Sequence, residues 1–140
     1  MVERHKARVA RSRAAQQGRF APTVLVVDDD PGELTLLRTV FEEHGWRVIE
    51  AANGREALAA HSMSGGVDLI VSDIDMPVMD GLEMCRSLEG GGSKTRVLIV
   101  SGLELDPGEV RDAASSVAGF FRKPFRPTEL MRTALDLVAS

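Results

Sequence analysis

The sequence has a single cysteine, Cys85, among its 140 residues. One thiol excludes both an internal disulfide and a cysteine-rich zinc site. The three histidines, His5, His44 and His61, are too scattered to form a metal cluster. No apolar run approaches the roughly 20 residues that a membrane-spanning helix needs. The amino terminus is basic but lacks the apolar stretch of a secretory signal, so a cytoplasmic address and no membrane partner are expected. Positive charge is scarce beyond the first 20 residues. Those carry six basic side chains against Glu3, a net of +5, whereas the other 120 carry 11 basic and 20 acidic side chains, a net of −9. That balance argues against nucleic-acid binding by the folded part, which would need cationic surface for the phosphates. Residues 1–20 are expected to be a solvated, partly helical basic extension. Residues 21–140 are expected to form one domain, long enough to bury a core.

What is present is a regular alternation of short apolar runs and amphipathic segments. Residues 23–27 are apolar and β-branched, a buried strand ending at Asp28-Asp29-Asp30. In Asp30-Pro31-Gly32-Glu33, Asp30 suits a helix cap, Pro31 the first helical position, and Glu33 the partner that reaches back. Leu34, Leu37, Val40 and Phe41 follow at helical spacing, and Gly45 closes the helix. A second strand is expected over 46–51 and a second helix over 55–63, after the Asn53-Gly54 turn. The third strand, from Val67, delivers Asp73 to its end. Its apolar residues are continuous rather than alternating, which fits a strand covered on both faces.

Asp80 then caps a helix running through Leu88, with Glu83 as its partner and Cys85 on the apolar stripe between Leu82 and Leu88. The Gly90-Gly-Gly-Ser93 stretch is a connector, since no helix follows it as a phosphate-binding loop requires. A fourth strand spans 95–100 and ends at Ser101-Gly102. Asp106 caps a weaker helix to about Ser116, 118–121 form a fifth strand, and Lys123-Pro124 make a turn. Thr128 is expected to cap the last helix, with Leu130, Ala134, Leu137 and Val138 as its apolar face. Five strands alternating with five helices imply a parallel, doubly wound sheet with helices on both faces.

In such a sheet the carboxyl ends of the strands share one edge, where open α/β folds place their chemistry. Asp28 and Asp29, Asp73, Ser101 and Lys123 all fall there. Carboxylates crowded together repel by about 4 kcal/mol per close pair at an effective dielectric near 20. A hard divalent ion with oxygen ligands relieves that repulsion, and magnesium accepts carboxylates, waters and a phosphoryl oxygen together. Asp73 is then a nucleophile able to form an acyl phosphate. Lys123 supplies a mobile positive charge, and the Ser101 hydroxyl and a neighbouring backbone N–H suit equatorial phosphoryl oxygens.

Four motifs in this order, Val24-Leu-Val-Val-Asp-Asp29, Ser72-Asp-Ile-Asp-Met-Pro-Val-Met-Asp-Gly81, Val100-Ser-Gly102 and Phe121-Arg-Lys-Pro-Phe125, resemble the receiver domain of two-component response regulators. The resemblance covers residues 23–139. It implies a CheY-like, flavodoxin-like (βα)5 three-layer sandwich with sheet order 2-1-3-4-5. It also implies phosphoryl transfer to Asp73 from a histidine on a sensor kinase or histidine phosphotransfer protein. Magnesium, with manganese as a substitute, would be bound by Asp29, Asp73 and the Asp75 backbone carbonyl, and by Asp28 largely through water. The Lys123–Pro124 bond is implied to be cis. Readout is implied to run through Ser101 and Phe120 to a partner face made of the fourth helix, fifth strand and fifth helix. Phe120 stands where tyrosine is more frequent, and Gly102 where alanine is common. Asp73-Ile-Asp75 also matches the DxD signature of haloacid-dehalogenase-like phosphatases, but after the third strand instead of the first. A receiver-like module that works without phosphorylation is a third possibility, against which the complete acidic pair, acceptor and lysine speak.

Overall fold

A computed structural model describes residues 21–139 of the chain. The basic segment 1–20, expected to be partly helical, lies outside the described residues. Five strands and five helices alternate in the order β1 (Thr23–Val27), α1 (Pro31–Glu43), β2 (Arg47–Ala51), α2 (Gly54–Ser64), β3 (Leu69–Ser72), α3 (Gly81–Gly90), β4 (Val97–Ser101), α4 (Pro107–Ala113), β5 (Val117–Arg122) and α5 (Pro127–Ala139). All strands are parallel and the sheet order is β2-β1-β3-β4-β5. This is the doubly wound (βα)5 flavodoxin-like fold. Among the described residues no helix is long and apolar enough to cross a membrane.

The period-two geometry of a strand sends successive side chains to opposite faces. Val24, Val26, Leu69 and Val71 therefore join α1 and α5 in one apolar cluster, through Leu37, Phe41, Leu130 and Met131. Leu25, Val27, Ile70 and Ile99 join α2, α3 and α4 in the other, through Ala57, Met84, Cys85 and Val110. Burial on both faces is why the runs read as continuously apolar. Cys85 belongs to this core, where burial pushes its thiol up to about 11.

Local chemistry moves several boundaries from their expected places. The helix after Asp106 stops at Ala113, short of Ser116, because Ala114 is extended and Glu89 of α3 accepts hydrogen bonds from both the Ser116 N–H and its hydroxyl. Thr128 is not the cap of the last helix. Pro127 occupies the first turn, and the Arg126 carbonyl accepts from the Leu130 N–H at 3.1 Å, which leaves Thr128 inside the helix. Asp30 does cap α1, accepting from the Gly32 N–H at 2.9 Å. Glu33 makes no reciprocal bond, because the Asp30 N–H it would accept from is already bound to Asp28 Oδ1 at 3.0 Å. The Asp80 cap forms as expected, accepting from the Glu83 N–H at 2.8 Å.

The loop from β3 to α3 carries two constraints. Val78 sits at φ 71, a left-handed conformation that disfavours a β-branched residue, and its side chain is exposed. Gly81 packs so closely on the chain that a Cβ there would stand 2.2 Å from the Asp73 carbonyl oxygen. Val78→Asn should therefore stabilise the fold by about 1 kcal/mol, since Asn tolerates this conformation better. Gly81→Ala should destabilise it by about 3 kcal/mol through overpacking against backbone that cannot yield. Urea unfolding of the two variants beside the parent protein checks both signs.

Candidate functional site

The carboxyl edge of the sheet gathers the chemistry-bearing residues. The Asp28 N–H donates to the Ala51 carbonyl at 3.1 Å, and the Asp73 N–H to the Val27 carbonyl at 2.9 Å. The ladder that pairs β2, β1 and β3 thus extends one residue beyond each strand and fixes where the two carboxylates leave the backbone. Lys123, just past β5, donates its own N–H to the Ser101 carbonyl at 2.8 Å. Its peptide bond to Pro124 is cis, as the resemblance implied.

These placements bring the side chains together. Lys123 Nζ donates to Asp28 Oδ2 at 2.8 Å and to Asp73 Oδ2 at 3.2 Å. Asp28 is 2% exposed, whereas Asp29 is an exposed residue. Burial pushes the Asp28 carboxyl up, against the pull of Lys123 and the Asp30 N–H. Burial alone would pull Lys123 down, but its two carboxylate partners outweigh it and hold the ammonium above its ordinary value. The 2.8 Å contact favours the ionised pair, and the deeper burial of Asp28 explains why its carboxyl still rises.

Asp28, Asp29 and Asp73 each offer an oxygen within 4.8 Å of the others. Oxygens around an octahedral ion with bonds of about 2.1 Å stand roughly 3 to 4 Å apart, so the three carboxylates suit a hard divalent cation with small adjustment. No nitrogen or sulfur ligand is among them, which disfavours a zinc-type centre. Asp75 is exposed in the loop two residues beyond Asp73. Ser101 is fully buried, and its hydroxyl oxygen accepts from the Leu103 N–H at 3.2 Å. Phe120 is half-buried against the core cluster on the α2, α3 and α4 face.

Three contributors escaped the sequence reading. The Ile74 N–H donates to Asp73 Oδ1 at 2.7 Å and so orients the carboxylate. Ser72, fully buried, donates its hydroxyl to the Asp73 carbonyl at 2.7 Å. Gly81 admits that carbonyl against α3. The one signal in the sequence was a serine closing an otherwise apolar strand.

Comparison with known proteins agrees with this geometry. Residues 24–135 match the family model described as the response regulator receiver domain. The response regulator GtcR of Aneurinibacillus migulanus is 33% identical over 110 residues, which cover 79% of this chain and 45% of that protein. The sensor kinase CckA of Brucella abortus is 34% identical over 119 residues, covering 84% of this chain and 12% of the kinase. The crystal structure of the response regulator TrrA from Thermotoga maritima, in complex with Mg(2+)-BeF, superposes with a TM-score of 0.72 at 29% identity and covers 83% of this chain and 98% of that one. The chain spans less than half the length of the curated regulators it matches. Receiver domains are phosphoacceptor switches of two-component signalling, served by histidine kinases or phosphotransfer proteins, and are not enzymes with independent turnover. With its family model matched over most of its length, its sheet order and its acidic edge all in agreement, the chain belongs to the response regulator receiver domain family.

Proposed function

We propose that the chain accepts a phosphoryl group on the Asp73 carboxylate from a phosphohistidine of a sensor kinase or histidine phosphotransfer protein. The observation that carries this is the meeting of Asp73 with Lys123, Asp28 and Asp29 at the sheet edge. In the transfer, an Asp73 oxygen forms a bond to phosphorus as the phosphorus–nitrogen bond of the donor breaks, and the imidazole leaves. Lys123 offsets negative charge at the acceptor, and the Ser101 hydroxyl and a neighbouring backbone N–H receive equatorial phosphoryl oxygens.

Asp28, Asp29, Asp73 and the Asp75 backbone carbonyl are the groups that would hold a divalent ion, magnesium by preference and manganese as a substitute. When bound, that ion supplies charge neutralisation and alignment for an incoming phosphoryl group. The TrrA complex with Mg(2+)-BeF supports this ligand chemistry by similarity.

The switch proposed is the pair Ser101 and Phe120. New charge at Asp73 draws the hydroxyl towards it, and the half-buried ring moves inward, changing the face of α4, β5 and α5 that a downstream protein reads. Without a phenol oxygen, Phe120 signals by position and packing alone. The functional unit is the receiver over residues 21–140, acting alone or within a longer signalling chain.

Incubation with magnesium and acetyl phosphate should add one phosphoryl group, stable to acid and labile to base, located at Asp73 by mass spectrometry. Asp73→Asn should abolish it; a label elsewhere, or catalytic turnover of phosphomonoesters, overturns the proposal. A second outcome concerns Lys123. Its removal leaves buried Asp28 without its cation, so Lys123→Ala should lose about 3 kcal/mol of stability in metal-free buffer. Added magnesium should raise the melting temperature of Lys123→Ala more than that of the parent protein, as differential scanning fluorimetry would read.

A further inference from the structure

Four polar or charged residues are fully or almost fully buried among the described residues: Asp28, Ser72, Thr95 and Ser101. Asp28 and Ser101 already have places in the acidic site, and Thr95 lies at the opposite edge of the sheet. Ser72 is the remaining one. It ends β3 in a ladder with Val27 and Ile99, at a position where an aliphatic side chain would pack without needing a hydrogen-bond partner. Its hydroxyl does find one, the carbonyl of the next residue, Asp73, at 2.7 Å.

That carbonyl belongs to the peptide whose other end is the Ile74 N–H, the donor that holds Asp73 Oδ1 at 2.7 Å. The preceding peptide is already fixed, because the Asp73 N–H is bound to the Val27 carbonyl. What remains free is rotation of the Asp73–Ile74 peptide plane. Gly81 closes on its carbonyl from one side, leaving no room for a Cβ. The Ser72 hydroxyl holds the same oxygen by a hydrogen bond. With the plane held, Oδ1 is occupied by Ile74 and Oδ2 is turned towards Lys123.

We propose that Ser72 is a positioning residue for the Asp73 carboxylate: its hydroxyl locks the peptide plane whose N–H aims the attacking oxygen. The proposal rests on Asp73 being the acceptor, and it acts through that residue without touching the donor. It requires a hydroxyl, not merely a small side chain, at the end of β3.

The test compares Ser72→Ala, Ser72→Cys and Ser72→Thr with the parent chain. Cysteine keeps the size but is a weak donor, and threonine keeps the hydroxyl. In magnesium and acetyl phosphate, a bond forms between Asp73 and phosphorus while the phosphorus–oxygen bond of the donor breaks and acetate leaves. At saturating donor, Ser72→Ala and Ser72→Cys should be labelled about tenfold more slowly, because a misaimed nucleophile loses rate rather than affinity. The half-saturating donor concentration should stay within about twofold, and Ser72→Thr should stay within about twofold of the parent rate. Ala and Cys variants that are folded by circular dichroism yet label at the parent rate would overturn the proposal. So would slowing no greater than their loss of folded protein. A second readout needs no phosphorylation: hydrogen exchange at the Ile74 amide should accelerate in Ser72→Ala and Ser72→Cys but not in Ser72→Thr. Unchanged exchange overturns the clamp, whereas a parent chain that takes up no label at Asp73 overturns the proposed acceptor instead.

Discussion

One ammonium between two carboxylates is the constraint around which this edge of the molecule is arranged. Lys123 lies beyond β5, while Asp73 follows β3, and β4 runs between them. Neighbouring strands are about 4.8 Å apart, so roughly two spacings separate the lysine's strand from that of Asp73 and three from that of Asp28, a gap its side chain and theirs close together. A long, flexible stem with a compact charge can do this and still swing, which the planar fork of arginine would do less well. Asp28 shows what the bridge opposes. Its carboxyl is almost fully buried, and burial alone drives it towards the neutral form. The lysine keeps charge at a place where the sheet would otherwise expel it.

The two apolar layers make that arrangement tolerable. Alternate side chains of β1, β3 and β4 feed clusters on opposite faces, so the central strands are anchored from both sides. Repelling carboxylates at the tips of such strands cannot relax by letting the strands separate. Electrostatic strain at the edge is therefore held by hydrophobic burial in the middle, which is non-directional and far larger in sum. The segment outside the described residues carries the opposite charge to the domain, +5 against −9. Long-range attraction between the two falls off within about 10 Å at ordinary ionic strength.

Much of this was legible in the residues. Continuous β-branched runs located β1, β3 and β4, because strands buried on both faces need no polar side. Asp30, Asp80 and Asp106 announced three helix starts, since a short carboxylate before a helix has few other uses. Acidic residues at the ends of two runs and a lysine after a third foretold which side chains meet at the sheet edge, once a parallel sheet was inferred. What stayed hidden depended on which of several competing partners the packed chain selects. Glu89, 27 positions away, claims Ser116 and ends α4 early. Asp28 takes the N–H that Glu33 was expected to accept from. Met131 joins Leu130, Ala134 and Val138 on the fully buried face of α5, while Leu137 packs against the same cluster only partly buried, because the local spacing admits either and only the packed sheet decides. The role of Gly81 depends on a carbonyl eight residues back, which no local pattern reveals.

The Gly81 contact has a mechanical corollary. Its N–H is bound to the Ile74 carbonyl at 2.9 Å while its Cα lies against the Asp73 carbonyl. The loop from 73 to 81 is thus cinched at its neck, and the start of α3 is riveted to the backbone of Asp73. One hydrogen bond and one close backbone contact tie the start of the helix to the aspartate's own peptide. Under the proposed switch, such a tether leaves little slack on the α3 side, and the compliant side of the edge lies across β4, where Ser101 and Lys123 share a backbone bond.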